Sequence, residues 1–159
     1  RRAPVRATQE NRALNCLAAV AAGEAGGHGE RAQINTMKTV LNRYRLGYGS
    51  SICGIVYARS QFAPRPGRVT PRIRQLAAMM LNQSSSQIAS AATHFHSYRG
   101  AYDRRAPWAR RMAYLGFDGA HHLFRLSGSP NPRLAALNQQ KFNPMNADGI
   151  STTIMAQAP

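Results

Sequence analysis

Apolar positions recur at helical spacing in the first half of the chain and give way to alternation among aromatic and β-favouring residues in the second. Leu14, Leu17, Ala18 and Ala21 lie three or four residues apart, which predicts an amphipathic helix from about Thr8 to Ala22 that ends at glycine. The segment GEAGGHGE, Gly23 to Glu30, then sets four glycines around two carboxylates and a histidine, a flexible backbone holding polar side chains. Ile34, Met37, Val40, Leu41 and Tyr44 keep an apolar stripe through to Gly47 and predict a core helix. A turn, a short apolar run over Ile52 to Tyr57 and a Pro/Gly loop follow. Thr70 and Pro71 then supply an N-cap and a first-turn proline for a helix through Ile73, Leu76, Ala77 and Met80.

The serine-rich stretch from Gln83 to Gln87 reads as a break, and ATHFHSY after it reads as a strand. Pro107 is expected to start a short helix carrying Trp108, Met112 and Leu115. HHLFRL, His121 to Leu126, is a second short strand that can pair with the first histidine-bearing one. From Ser127 onward the chain is polar, carries Pro130, Pro132 and Pro144, and reads as an irregular tail. The expected class is therefore α+β, mainly helical, with a small antiparallel sheet or ribbon.

A length of 159 residues suits one domain with a real core. The apolar fraction is 43%, and no run approaches the roughly 18 apolar residues of a membrane span. Charge changes the picture more. With 21 Lys+Arg against 6 Asp+Glu the formal net charge is +15, a surface that seeks polyanions: nucleic acid, or the anionic polymers of a cell envelope. The arginines are scattered, which favours a charged globular surface over a nucleic-acid-binding tail. Cys16 and Cys53 fit no zinc-ligand spacing; they can form one disulfide or stand as two buried thiols. The chain begins at Arg1 with no apolar leader, as expected of a processed product or a fragment.

The acids are few enough to weigh singly. Glu10 and Asp148 lie in polar stretches, and Glu30 opens the second helix, where a carboxylate has an ordinary electrostatic reason to sit. Glu24 differs: it ends an apolar helix at the lip of a glycine-rich loop, where partial burial would keep a general acid protonated. His94 and His96 alternate on a strand and His121 and His122 lie on another, but no carboxylate or cysteine nearby completes a metal set, and no cofactor is expected. Gln61, Phe62, Tyr98, Tyr102 and Trp108 have the amide and aromatic character of a sugar site, or of ordinary packing.

Taken in order, these segments resemble a known family. CLAAVAAGEAGG (Cys16 to Gly27), Gln33, VLNR (Val40 to Arg43), ICGIVY (Ile52 to Tyr57), SQF (Ser60 to Phe62), THFH (Thr93 to His96), PWA (Pro107 to Ala109) and GAHHLF (Gly119 to Phe124) are similar to the ordered motifs of the spore-cortex-lytic, SleB/CwlJ-like cell wall hydrolases. The resemblance spans roughly Arg12 to Leu126 and implies a catalytic domain over residues 1–126 with a tail over 127–159. Two departures stand out: His28 occupies a position where many relatives carry a second Glu, and extra residues lie between Tyr98 and Pro107.

The resemblance implies a lysozyme-like fold and cleavage of the bond between N-acetylmuramic acid and N-acetylglucosamine, often as a lytic transglycosylase. It makes Glu24 the acid/base, Gln61 and His96 sugar or acetamido contacts, and Phe62, His94, Tyr98, Trp108 and His121 groove-lining or supporting residues. Peptidoglycan strands and anionic envelope polymers are the expected partners, with other virion proteins if a phage particle delivers the enzyme. Its expected site of action is the periplasm or cell wall. The alternative is a virion- or wall-associated structural or binding protein built on a degenerate hydrolase scaffold.

Overall fold

A computed structural model describes residues 3–82, 92–96 and 112–125, with side chains from residue 11 onward. Four helices come first: α1 (Ala3–Ala25), α2 (Glu30–Arg45), the short α3 (Ile52–Val56) and α4 (Pro71–Leu81), with one 3-10 turn, Pro66–Arg68, ahead of α4. Three short strands follow: β1 (His94–His96), β2 (Ala113–Phe117) and β3 (His122–Arg125). The α+β class expected from the pattern is the one observed. Among the described residues no helix is long and apolar enough to cross a membrane.

The apolar stripes meet where periodicity places them. Leu17, Val20 and Ala21 of α1 bury against Met37, Val40, Leu41 and Tyr44 of α2, Ile52 and Val56 of α3, and Ile73, Leu76 and Leu81 of α4. Each fully buried aliphatic side chain contributes about 1.5–3 kcal/mol relative to exposure. Alanine is frequent on α1, which lets α2, α3 and α4 approach its axis closely. Cys16 of α1 and Cys53 of α3 form a disulfide, Cα to Cα 5.3 Å, so of the two states left open the bonded one is observed.

Local chemistry sets the helix ends. Thr70 Oγ1 accepts from Ile73 N–H at 3.1 Å with Pro71 at the first helical position, and Ser51 Oγ caps α3 through Gly54 N–H at 2.9 Å. At the end of α2, Gly47 adopts φ +83°, and the N–H groups of Gly47 and Tyr48 return to the carbonyls of Tyr44 and Arg43, a Schellman closure.

Two sequence expectations need correction. The first helix does not stop at Ala22: Gly23 lies inside its last turn and the helix runs to Ala25, breaking at Gly26 and Gly27. The second concerns Met112 and Leu115, expected on a helix from Pro107. Residues Ala113–Phe117 form β2 instead, because the turn at Asp118 and Gly119 folds them back on β3 as a hairpin.

The sheet has the order β1-β3-β2, all antiparallel. His94 faces Phe124, Phe95 faces Leu123 and His96 faces His122, so the two histidine-bearing strands pair as expected. Leu115 is left over between the Tyr114–Phe124 and Gly116–Leu123 pairs, a bulge eased by φ +123° at Gly116. Tyr98, Tyr102, Trp108, the start of the Pro107 helix, the serine-rich break and the 127–159 tail lie outside the described residues.

Candidate active site

The last turn of α1 and the loop before α4 are built to lie against each other. Arg65 N–H donates to the Ala19 carbonyl at 2.9 Å, and Ala63 N–H donates to Glu24 Oε1 at 2.6 Å. This closeness depends on Gly23, since a Cβ there would stand 1.8 Å from the Ala63 carbonyl oxygen. Glycine inside the helix is thus a packing requirement, and it delivers Glu24, half-buried, to the edge of an open cleft. That cleft holds about 470 Å³ and is lined by Ala22, Gly23, Glu24, Gly26, Gly27, His28 and Arg68.

The other two described carboxylates whose side chains are placed have different fates. Glu30 is exposed and forks onto Arg72, whose Nη2 donates to Oε2 at 3.0 Å; that hydrogen bond holds Glu30 below its ordinary value. Asp118 is buried. Its Oδ1 accepts from the N–H groups of Ala120 (2.9 Å) and His121 (2.8 Å), and its Oδ2 accepts from Asn35 Nδ2 (3.1 Å). Burial pushes the Asp118 carboxyl up, but the nearby His121 ring, these two backbone donors and Asn35 outweigh it and hold the group well below the usual carboxylate range. His121 Nδ1 is 3.9 Å from Oδ2, an electrostatic approach rather than a hydrogen bond.

A second hub, at the end of the VLNR motif, joins the Gln61 loop to β1. Arg43 is buried at 6% exposure; its Nε donates to the Thr93 carbonyl at 2.6 Å and its Nη1 to Gln61 Oε1 at 3.1 Å. Its guanidinium also stands over the Phe62 and Tyr48 rings, 4.8 and 5.5 Å from their centroids. Burial lowers Arg43 to about 10, still charged at neutral pH. Asn42 Nδ2 adds a bond to the Ala92 carbonyl at 2.9 Å, so consecutive residues of α2 hold the approach to β1.

The expected site residues divide accordingly. Glu24 lines the cleft, and the loop that carries Gln61 and Phe62 continues into the Ala63 contact. Gln61 is exposed with its carbonyl oxygen on Arg43, and Phe62 packs against Phe95 at 5.8 Å. His121 is 1% exposed; it lies against Phe95 at 4.3 Å and places Nε2 3.1 Å from the Glu24 main-chain oxygen. His94 and His96 alternate with Phe95 and so take the opposite face of β1. There His94 meets Tyr48 edge-on, and His96, buried, packs on Phe124 and His122. Burial, and then the charge of Arg43, lower His94 to about 4.

Arg43, Asp118 and Arg68 were not singled out from the sequence. For Asp118 a signal existed: Asp-Gly between two strand-like runs marks a hairpin turn. For Arg43 the VLNR motif was a signal, and for Arg68 nothing separates it from the many surface arginines.

No curated protein and no solved structure matches the chain. The cell wall hydrolase family model matches residues 27–124, from the loop just after Glu24 through α2, α3, α4 and most of the sheet. Glu24 lies three residues ahead of the matched stretch, on the cleft described above. A stretch covering well over half of the sequence carries the classification: the chain belongs to the cell wall hydrolase family, whose substrate is peptidoglycan and whose action is extracytoplasmic.

Proposed function

We propose that the chain cleaves the glycan strand of peptidoglycan between N-acetylmuramic acid and N-acetylglucosamine as a lytic transglycosylase, with Glu24 as its only acid and base. One observation carries this reading: of the described carboxylates with placed side chains, Glu24 alone lines the cleft, while Glu30 is forked onto Arg72 and Asp118 is buried with three donors on it. Glycosidases that hydrolyse by inversion or retention use two carboxylates flanking the bond. A transglycosylase needs one.

Oε1 of Glu24 accepts from Ala63, which leaves Oε2 to transfer the proton. In the first half of the reaction Oε2 protonates the glycosidic oxygen, the C1–O bond breaks, and N-acetylglucosamine leaves with its new hydroxyl. Positive charge gathers on C1 of the muramic ring. The ionised Glu24 then removes the proton from that ring's own C6 hydroxyl, whose oxygen bonds to C1 and closes a 1,6-anhydro ring. Glu24 ends protonated, ready for another cycle, and no water is consumed. Gln61 and Phe62 are the sugar contacts this reading keeps nearest the acid. The exposed arginines of the same segment, Arg59, Arg65 and Arg68, give the rim a charge suited to anionic envelope polymers.

Mass spectrometry of digested peptidoglycan tests the proposal. Fragments ending in anhydro-muramic acid, one water lighter than reducing ends, are expected, and Glu24→Gln should release no fragments while keeping its fold. Reducing muramic ends would replace transglycosylation by hydrolysis. Freed stem peptides with intact glycan would overturn glycosidic cleavage altogether.

A further inference from the structure

A helix leaves its last four carbonyls without intrahelical partners, and a buried end must find them elsewhere. At the end of α1 the Ala25 carbonyl accepts from His28 N–H at 3.0 Å and, at 3.4 Å, from Gln33 Nε2. The Glu24 carbonyl is served from across the chain by His121 Nε2 at 3.1 Å. A carbonyl only accepts, so Nε2 carries a proton. The two sites are 97 positions apart in sequence, and His121 is almost wholly buried.

What holds His121 there is Asp118. The carboxylate accepts from the backbone N–H of His121 and of Ala120, which closes the turn between β2 and β3, and from Asn35 of α2, which ties that turn to the helices. Asp118 N–H completes the turn on the His121 carbonyl at 3.1 Å. Ala25, Ala32 and Ala120 form a separate buried small-residue cluster where the turn meets the end of α1. A buried acid with three donors and a buried histidine aimed at the peptide of the cleft carboxylate are more than the turn itself requires.

We propose that Asp118 and His121 are positioning residues for Glu24: Asp118 fixes the backbone of His121, and His121 Nε2–H fixes the Glu24 peptide. With Ala63 N–H holding Oε1, Glu24 is then held at both ends, by its main chain and by its carboxylate. Neither Asp118 nor His121 touches substrate. The inference rests on Glu24 being the acid, since its purpose is to keep that carboxylate within the narrow tolerance that proton transfer demands.

The experiment compares His121→Phe with His121→Gln in the full chain, reading kcat and KM for fragment release from purified peptidoglycan. His121→Phe keeps the ring beside Phe95 but loses the donor; kcat should fall on the order of 10- to 100-fold with KM little changed. His121→Gln offers an amide N–H to the same carbonyl and should restore most of the loss. Unchanged kcat in His121→Phe, or equal inactivity of both variants with melting curves like the wild type, would overturn the proposal. If His121→Phe fails to fold, nitrogen NMR of the wild-type histidines decides independently of activity. A protonated, exchange-protected Nε2 on His121 that loses its protection in Asp118→Ala is expected, and a bare Nε2 would refute it. A fully active Glu24→Gln variant would sink the acid assignment instead, and the NMR result would remain a separate reading of the hydrogen bond.

Discussion

In the helical half of the molecule the buried positions are filled by alanine and aliphatic side chains, with a disulfide joining α1 to α3. In the sheet they are filled by aromatic rings and histidines, and, beside the Ala25, Ala32 and Ala120 cluster and the Phe62 and Phe95 contact, side-chain hydrogen bonds bind the sheet to the helices. Arg43 reaches the Thr93 carbonyl, Asn42 the Ala92 carbonyl, Asn35 the Asp118 carboxylate and His121 the Glu24 carbonyl. Glu24 therefore stands on a close-packed and covalently tied body, whose parts fit by shape, while the sheet relies more on directional hydrogen bonds for its attachment. Damage to the first half should act through sterics and chain entropy. Damage to the second should act through charge and proton state.

The largest effect is expected where the helical half is covalent. Cys16 and Cys53 are 37 positions apart, and closing a loop of that length in the unfolded chain is worth about 4 kcal/mol in the chain-entropy treatment. Denaturant unfolding of the Cys16→Ala, Cys53→Ala double variant should show a loss near that size, with the sheet hydrogen bonds to α2 keeping their exchange protection relative to the global value. An unfolding free energy equal to that of the wild type would remove the covalent tie from the contrast between the two halves.

Next comes shape alone. Gly23→Ala puts a methyl group into the Ala63 carbonyl, and a backbone atom on a segment bonded at Ala19 and Glu24 has little room to yield. Overpacking of this kind costs about 1–3 kcal/mol. Because the same segment holds Oε1 of Glu24, fragment release should fall by on the order of 100-fold, more than the stability loss alone would produce. A variant that clears peptidoglycan at the wild-type rate would show that the 61–65 loop has no part in placing the acid.

The same contrast explains what could be read from the chain. Helix α2, the Thr70 cap of α4 and the pairing of the two histidine strands follow from periodicity, a cap signature and alternation, all of which are local. Gly23 reads as a stop because its use is set by Ala63, forty positions on, where no local pattern points. Strand β2 reads as a helix because Pro107 offers a start for one carrying Trp108, Met112 and Leu115; the Asp118-Gly119 turn that decides the matter lies beyond them. Glu24 was legible only as a candidate, from the scarcity of acids, the glycine-rich lip and the family-like motif around it. Its supports were not: Asn35 and Asp118 are 83 positions apart and Arg43 and Thr93 are 50, and such partners emerge only from the fold.

The smallest effect is sought in the sheet, where proton state should matter. His94 sits half-buried against Tyr48, and burial, then the positive charge of Arg43, lower it from 6.5 to about 4. Between those two values the unfolded chain binds a proton that the folded chain refuses, so stability rises with pH across the window. The contribution is complete above 6.5 and is lost as pH falls toward 4. One proton gives a slope of at most about 1.4 kcal/mol per pH unit, and partial solvation of the ring reduces it to a fraction of that. Asp118 acts in the same direction but in a lower window, beneath its ordinary value of 3.8, because its carboxylate must be protonated before its donors lose their acceptor. Denaturant unfolding at intervals from pH 7 to pH 4.5 should therefore show a slope that His94→Phe flattens. An identical slope in the variant would assign the acid sensitivity of the sheet to another group and leave His94 as a packing residue only.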